Sequence, residues 1–565
     1  MQTSDIVICT LNSQYIHSSL APWCLLAGLK AYGEPTAVSM VIEGTINEKV
    51  EEVAARIVAV KPQIIGFSCY IWNITAMYQL IELVKQNLPQ SFIVLGGPEV
   101  SYNIIQVMTK HALVDYCIAG EGERPFALLC NAVLHGESPA GIEGVSYRQG
   151  EQIVLSEPYI ASEDPPSPYT AEYLEALQGR IAYLETSRGC PYSCAFCLSG
   201  RCGNARFFDI ERAKQELLLL ANSGTQTVKL VDRTFNANRK RAVELFRFII
   251  EHYGTVIPNG VCFHFEIAGD ILDDETISLL ATAPVGAVQL EIGLQSFNPQ
   301  TLKAIHRKTN VERLKSNIRR IVENGNMHIH IDLIAGLPYE DMESFAQSFD
   351  TAYSLQPHML QMGFLKLLHG APMREQPENF PCSFSQTPPY QVTQTPWLNS
   401  QELEILHAAE QALDRIYNSG RFRRTLAYLL QTLDITPFEL FSEFGVFMRE
   451  QTVMRLSLDE YTASIFTYFC QKTGVDRMIL RDIMVCDRLA TNASGLLPPV
   501  LRIDNANLKK IKRRLNESDD TRQQKGIKRG LEWLYSENCA VYVDYKEKNS
   551  VTGEYKLIRW HEETR

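Results

Sequence analysis

The chain has 565 residues, more than one hydrophobic core can organise, so about three or four domains are expected. Its 45% apolar and 21% charged residues are those of a globular protein, and a net charge of −11 argues against a nucleic-acid-binding face, which would be basic. No run approaches the roughly 20 apolar residues of a membrane span, and the start, MQTSDIVICTLNSQY, lacks the charged and apolar segments of a signal peptide. The 14 cysteines are therefore read as reduced thiols of a cytoplasmic protein.

Residues 1–136 alternate short apolar runs with amphipathic stretches. DIVICTL (5–11), TAVSMVI (36–42), PQIIGFSC (62–69), SFIVLGG (91–97) and DYCIAG (115–120) read as strands, and 47–60 and 74–88 as helices. The pattern predicts a doubly wound, Rossmann-like α/β domain with a mostly parallel sheet, assigned to residues 1–150. Ligands of such sheets bind beyond the carboxyl ends of the strands. These runs end in small or polar residues, in LNSQYIH, CYIWN, GGPEVS and GEGE, so the domain reads as a cofactor holder.

ASEDPPSPY (161–169) is a Pro- and acid-rich linker within 151–180. A second β/α series occupies 181–372, with strands at IAYLETS (181–187), TVKLVD (227–232), VCFHFEI (261–267), VQLEIGL (288–294), HIHIDLI (328–334) and PHMLQMG (357–363). Six such units predict a partial (β/α)6 barrel, whose catalytic groups gather at the carboxyl ends of the strands. Cys190, Asp232, Glu266, Glu291, Gln295 and Asp332 fall at or near such ends. Residues 373–565 read as a mostly helical C-terminal domain closing on a hairpin at 539–560. It carries no chemical motif and is assigned by position to covering the barrel mouth or binding substrate. Its basic stretch LKKIKRRL (508–515) reads as the solvated face of a helix.

ETSRGCPYSCAFCLSG (185–200) places Cys190, Cys194 and Cys197 at C-x3-C-x2-C spacing, with Gly189 and Pro191 keeping the segment out of a helix. Thiolates this close bind zinc or an iron–sulfur cluster. A structural zinc site uses four ligands, usually as two separated pairs. Cys202 offers a fourth thiol for a closed site, either zinc or an electron-transfer cluster.

Placed after the first barrel strand, with Phe196 before its last cysteine, the triplet resembles the radical S-adenosylmethionine (SAM) superfamily. The resemblance implies that Cys190, Cys194 and Cys197 hold three irons of a 4Fe-4S cluster while the fourth iron takes the amino and carboxylate groups of SAM. It implies cleavage of SAM to methionine and a 5′-deoxyadenosyl radical that removes hydrogen from substrate, chemistry that belongs to the cofactor. EIGLQSFNPQTLKAIHRKT (291–309) is similar to the Gly-Xaa-Gln-Ser-Phe stretch of related enzymes. By that likeness Gln295 and Arg307 face SAM, Arg307 near its carboxylate, and Glu266 approaches its amino group or ribose. VDRTFNANR (231–239) stands where many members carry a Gly-Gly-Glu motif; Asp232 and Arg233 are the candidates in its place. HIDLIAGLP (330–338) has the form that backs an adenine in relatives, and a packing turn accounts for it nearly as well.

The doubly wound domain ahead of the barrel resembles the cobalamin-binding subclass of that superfamily. VLGGPEVS (94–101) and DYCIAGEGERPF (115–126) are similar to its Gly-Gly-Pro and Gly-Glu-Gly-Glu segments. The cobalamin candidates are Asn12, Ser68, Tyr70, Gly96, Gly97, Pro98, Glu99, Gly120, Glu121, Gly122 and Glu123. Glycines let backbone approach a bulky corrin; Glu121 and Glu123 accept from its amides or cap the next helix. The Asp-Xaa-His-Xaa-Xaa-Gly motif that offers histidine to cobalt is absent, which leaves the lower face empty, or to water or a weak side chain from 68–73. His17, with Tyr15 two residues before it, reads as structural.

The resemblance implies a cobalamin-dependent radical SAM enzyme, a methyltransferase acting on an unactivated carbon. Alternatives are cyclisation, rearrangement or oxidation with the same cofactors, a radical enzyme without cobalamin, and a cobalamin- or redox-sensing module. A small molecule or peptide is the expected substrate, and a flavodoxin or ferredoxin the electron donor.

Overall fold

In the computed structural model, which describes residues 4–451, 456–505, 508, 511 and 529–561, the first seven strands form one sheet. Strands β1 (Ile6–Asn12), β2 (Ser39–Thr45), β3 (Ile64–Ser68), β4 (Phe92–Gly96) and β5 (Tyr116–Ile118) are parallel to one another. Two antiparallel strands, β6 (Val145–Gln149) and β7 (Gln152–Val154), complete the order β2-β1-β3-β4-β5-β6-β7. β1 and β3 are buried along their whole length, as strands covered by helices on both faces must be. From β1 the chain steps to one side for β2 and to the other for β3. Such a reversal opens a crevice at the carboxyl ends of the strands. Asn12, Ser68 and Gly96 are the last residues of β1, β3 and β4, with Ser68 in register with Gly96.

The next strands are β8 (Ala182–Leu184), β9 (Ser187–Arg188), β10 (Arg206–Phe207), β11 (Thr227–Leu230), β12 (Cys262–Ile267), β13 (Val288–Gln295), β14 (His328–Ala335) and β15 (Met359–Phe364). Helices Ile210–Ala221, Arg239–His252, Asp274–Ala281, Val311–Asn324 and Met342–Ser354 alternate with the longer ones. Each starts at an Asp or Asn whose side chain accepts from the N–H three residues on: Asp209, Asn238, Asp273, Asn310 and Asp341. Caps of this kind contribute about 1 kcal/mol each and fix where every barrel helix begins.

The chain forms two compact units, Met1–Val288 with Leu302–Thr309 and Phe364–Pro396, and Gln289–Thr301 with Asn310–Gly363 and Trp397–Arg565. The first holds the seven-stranded sheet and the parallel set β8, β11, β12. It also holds a ribbon of β16 (Ser383–Phe384) and β17 (Val392–Gln394). The second holds parallel β13 and β14, with β15 beside β14. On β13 the buried Leu290, Ile292 and Leu294 alternate with half-buried Gln289, Glu291 and Gly293, the signature of a strand with one packed face.

The second unit continues with helices Ser400–Leu413, Arg423–Thr432, Pro437–Glu450, Leu458–Phe469 and Arg477–Thr491. Asn399/Glu402, Thr436/Glu439 and Ser457/Glu460 are reciprocal caps on three of them. It ends on an antiparallel sheet of β18 (Arg529–Leu534), β19 (Cys539–Lys548) and β20 (Tyr555–Trp560), which contains the expected hairpin. The basic stretch 508–515 lies outside the described residues apart from Leu508 and Ile511. No helix among the described residues is long and apolar enough to cross a membrane.

Candidate functional site

The cysteine loop leaves the first unit's parallel strands just after β8 and is closed at its base. β9 pairs antiparallel with β10, placing Arg188 opposite Arg206 and Ser187 opposite Phe207. Gly189, at φ +88°, turns the chain out of this ribbon, and a side chain there would crowd the carbonyl of Asn204. The loop backbone is then anchored between the cysteines. Ala195 N–H donates to Ile305 O at 3.0 Å, and its carbonyl accepts from Met373 N–H at 3.0 Å.

The three sulfurs have polar neighbours suited to thiolates. Cys190 Sγ lies 3.4 Å from Thr234 Oγ1, Ser199 N–H donates to Cys197 Sγ at 3.4 Å, and Arg307 Nη1 donates to Cys194 Sγ at 3.7 Å. Burial pushes the Cys194 thiol up and the Arg307 guanidinium works against it. Among the described residues, only Glu291, His330 and Asp332 bring three potential metal ligands within 4.8 Å of one another. The three thiols are thus spread wider than the ligands of one tetrahedral zinc, whose Zn–S bonds are about 2.3 Å. A cluster that takes one iron per thiolate does not need its ligands to converge on one ion. The side chain of Cys202 is outside the described residues.

Next to this loop the first unit contains a cavity of about 1390 Å³. One wall is the crevice of the doubly wound sheet: Asn12, Ser68, Tyr70, Gly96, Gly97, Pro98, Gly120, Glu121, Gly122 and Glu123 all line it. The other wall is Tyr183, Glu185, Arg188, Lys229, Arg233 and Glu266, with Leu198–Arg201 of the cysteine loop. Small residues, Ser18, Ser19, Gly66, Ser68 and Gly96 among them, are what leave this volume free. A large group therefore has room there, among backbone and polar side chains. Asn73 shapes the loop after β3. Its side chain accepts from Tyr70 N–H at 2.8 Å and donates to Ser68 O and Leu11 O at 3.0 and 3.1 Å. Tyr70 and Trp72 stack in that loop with ring centres 4.4 Å apart and planes 5° apart, and burial pushes the Tyr70 phenol up to about 12.

Two candidates are turned away from the cavity. Asp232 is 1% exposed; its carboxylate accepts from Thr186 N–H at 3.0 Å, Thr186 Oγ1 at 2.8 Å and Ser187 Oγ. It braces the segment leading into the cysteine loop and does not line the site. Glu99 is 6% exposed and accepts from Tyr390 Oη, over whose ring the Arg374 guanidinium sits at 4.6 Å. Burial raises the Glu99 carboxyl although the Tyr390 bond favours its charged form.

Glu121 and Glu123 do line the cavity, yet their carboxylates are engaged by Arg188, at 2.6 and 2.5 Å. That residue carries no motif signal. Nor does Tyr183, whose hydroxyl shares a 2.7 Å hydrogen bond with His17 Nδ1; both line the cavity. Glu266, at the cavity, has Lys229 Nζ 3.6 Å away.

In the second unit Gln295 ends β13 at φ +74° and is 9% exposed. The next residue fixes that turn: Ser296 Oγ donates to Glu340 at 2.5 Å and accepts from Asn298 N–H at 2.9 Å. Glu340 also accepts from Ser348 Oγ at 3.2 Å, and burial pushes its carboxyl up to about 7. Glu291 and Asp332, expected at strand ends, sit within β13 and β14. Glu291 is in register with His330, whose Nε2 is 2.9 Å from Asp332 Oδ1.

Three families match the chain: the B12 binding domain over residues 6–129, the Radical SAM superfamily over 184–352, and a protein family of unknown function, DUF4080, over 378–536. The 2-(S-pantetheinyl)-carbapenam-3-carboxylate methyltransferase of Streptantibioticus cattleyicolor is 29% identical over 316 residues, 52% of this chain and 45% of that protein. The cobalamin-dependent radical SAM methyltransferase TokK of Streptomyces tokunonensis is 29% identical over 351 residues, 57% of this chain and 49% of its own length. The chain thus spans about half the length of these curated relatives. The cobalamin-dependent S-adenosylmethionine radical enzyme OxsB, solved with aqua-cobalamin and S-adenosylmethionine, shares the fold at a TM-score of 0.59 and 15% identity, over 92% of this chain and 82% of its own. The chain therefore carries a B12 binding domain, a radical SAM domain and a DUF4080 domain in that order, and the cofactors that the first two imply are cobalamin, SAM and a 4Fe-4S cluster.

Proposed function

We propose that the chain is a cobalamin-dependent radical SAM methyltransferase that acts on an unactivated carbon of a small molecule or peptide. One observation carries this reading. A single cavity is lined by the strand ends of the doubly wound sheet, at Asn12, Ser68 and Gly96, and by Tyr183, Lys229, Glu266 and the cysteine loop. When bound, the cluster with SAM supplies the means to open a strong C–H bond and cobalamin supplies the methyl group; the protein supplies position and a dry enclosure.

In this reading Cys190, Cys194 and Cys197 are the cluster ligands. The Arg307 guanidinium, 3.7 Å from Cys194 Sγ, steadies the thiolate and is the proposed partner of the SAM carboxylate. Glu266, at the cavity, is the further SAM contact. Asn12, Ser68 and Tyr70 present polar edges to cobalamin, and Gly96, Gly97 and Pro98 let it approach the backbone. Tyr70 and Trp72 shield that face from water. We assign residues 1–150 to cobalamin, 181–372 to the radical domain and 373–565 to substrate recognition. A flavodoxin or ferredoxin of the cytoplasm is the proposed electron source.

The test is anaerobic reconstitution with iron, sulfide and hydroxocobalamin, desalting, and metal analysis. About one cobalt and about four irons per chain support the reading. Iron without cobalt removes the methyltransferase. A positive result leads to a substrate screen with methyl-labelled SAM.

A further inference from the structure

We propose that Arg188 is a positioning residue that links the two cofactor sites, so that cobalamin and the cluster each tighten the hold on the other. The inference rests on the cofactor reading above, and its observations lie within the first unit. Arg188 stands two residues before Cys190, and its side chain is 17% exposed. Its Nε and Nη2 donate to Glu185 at 3.0 and 2.8 Å, Nη1 donates to Glu121 at 2.6 Å, and Nη2 donates to Glu123 at 2.5 Å. Arg206, its partner across the ribbon at the base of the cysteine loop, donates to the same Glu121 oxygen at 2.8 Å. One guanidinium thus holds the Gly-Glu-Gly-Glu loop of the cobalamin wall to the segment that enters the cysteine loop.

The electrostatics make this link hard to bypass. Glu121, Glu123 and Glu185 are 14, 9 and 19% exposed, and Arg188 pairs with all three while Arg206 pairs with Glu121. Burial opposes charge on Glu123, yet pairing with Arg188 holds its carboxyl below the ordinary range. Removing the guanidinium would leave converging carboxylates with one cation between them, a costly state in a low-dielectric site. The loop is also fixed from behind. Glu121 N–H donates to Tyr159 O at 2.8 Å, and Gly28 lets its helix press on the Glu123 backbone closer than a side chain allows. With those sides pinned, the loop's register toward the cavity is set through Arg188. Ordering either loop therefore orders the other, and coupling between two binding sites is reciprocal.

Hydroxocobalamin affinity is measured by anaerobic equilibrium dialysis on the full chain, cluster-loaded and with all three loop cysteines changed to Ala. We expect the loaded wild type to bind at least about fivefold more tightly than the cluster-free form. In Arg188→Met that ratio falls to about one. Arg188→Lys keeps the charge, loses the planar fork and gives an intermediate ratio; it carries the test if the Met variant does not fold. As an independent readout, cobalamin slows iron release to a chelator in the wild type and not in Arg188→Met. A ratio of one in a wild type that binds cobalamin, or the wild-type ratio retained in both variants, overturns the inference alone. A wild type that binds no cobalamin overturns the cofactor reading and the inference with it.

Discussion

Asp232 accepts two hydrogen bonds from one residue, from the backbone N–H of Thr186 at 3.0 Å and from its hydroxyl at 2.8 Å. Burial nevertheless wins over these bonds and pushes the carboxyl up to about 6. An unfolded Asp titrates near about 4. The folded chain thus binds the extra proton between about 4 and 6, and this stabilisation is present below that window and lost as pH rises through it. Asp232→Asn removes the titration. Denaturation at pH 4 and pH 7 should show the wild type losing about 2 to 3 kcal/mol relative to the variant across that interval. A difference that does not change with pH would show that Asp232 is not the group responsible.

Changing Cys190, Cys194 or Cys197 singly to Ala should leave a folded protein that no longer holds a full complement of iron and forms no deoxyadenosine from SAM. Iron analysis and product chromatography check this together. Retained turnover in any one variant would sink the cluster assignment.

Glu340 lies fully buried against Ser296 and Ser348, with its carboxyl near about 7. Its folded value is raised, so the stabilisation it brings is present below about 4 and lost as pH rises through about 7. At pH 8 Glu340→Gln, neutral and similar in shape, should be at least as stable as the wild type. Glu340→Ala should be about 2 to 3 kcal/mol less stable, because two buried hydroxyls lose their acceptor. Urea unfolding of the three proteins separates these outcomes; an Ala variant equal to the wild type would remove the role given to this carboxyl.

Gly97 has φ +107°, and a Cβ built there stands 2.5 Å from the carbonyl oxygen of Cys69. Gly97→Ala should cost about 2 kcal/mol or more through backbone strain and displacement of the 69–73 loop. Cobalamin binding should weaken by about tenfold as the cavity wall shifts, read by dialysis. Unchanged affinity would place the corrin elsewhere.

Much of the site was legible because strand ends and glycines are local signals. The crevice residues Asn12, Ser68, Gly96 and Gly97 followed from apolar runs ending in small or polar residues. The inward placement of Asp232 had a local signal too. Side chains of a strand alternate, and Val228 and Leu230 are buried. Asp232 shares their parity, whereas Lys229, Val231 and Arg233 line the cavity. Glu99 was beyond any local rule, since its partner Tyr390 is 291 residues away. Arg188 was missed for a similar reason: one arginine in TSRGC says nothing until the fold delivers Glu121 and Glu123 to it.

The ribbon of β9 and β10 also bears on how the cofactor is acquired. In a small zinc module the metal brings scattered ligands together and folds the chain as it binds. Here the excursion between Arg188 and Arg206 is already tied off at its neck and pinned midway through Ala195. Most of the freedom that closing such an excursion takes away is given up when the polypeptide folds. The polypeptide itself thus fixes the neck and the midpoint of the receptacle that iron and sulfide enter, and what remains to be ordered on binding is the stretch between them.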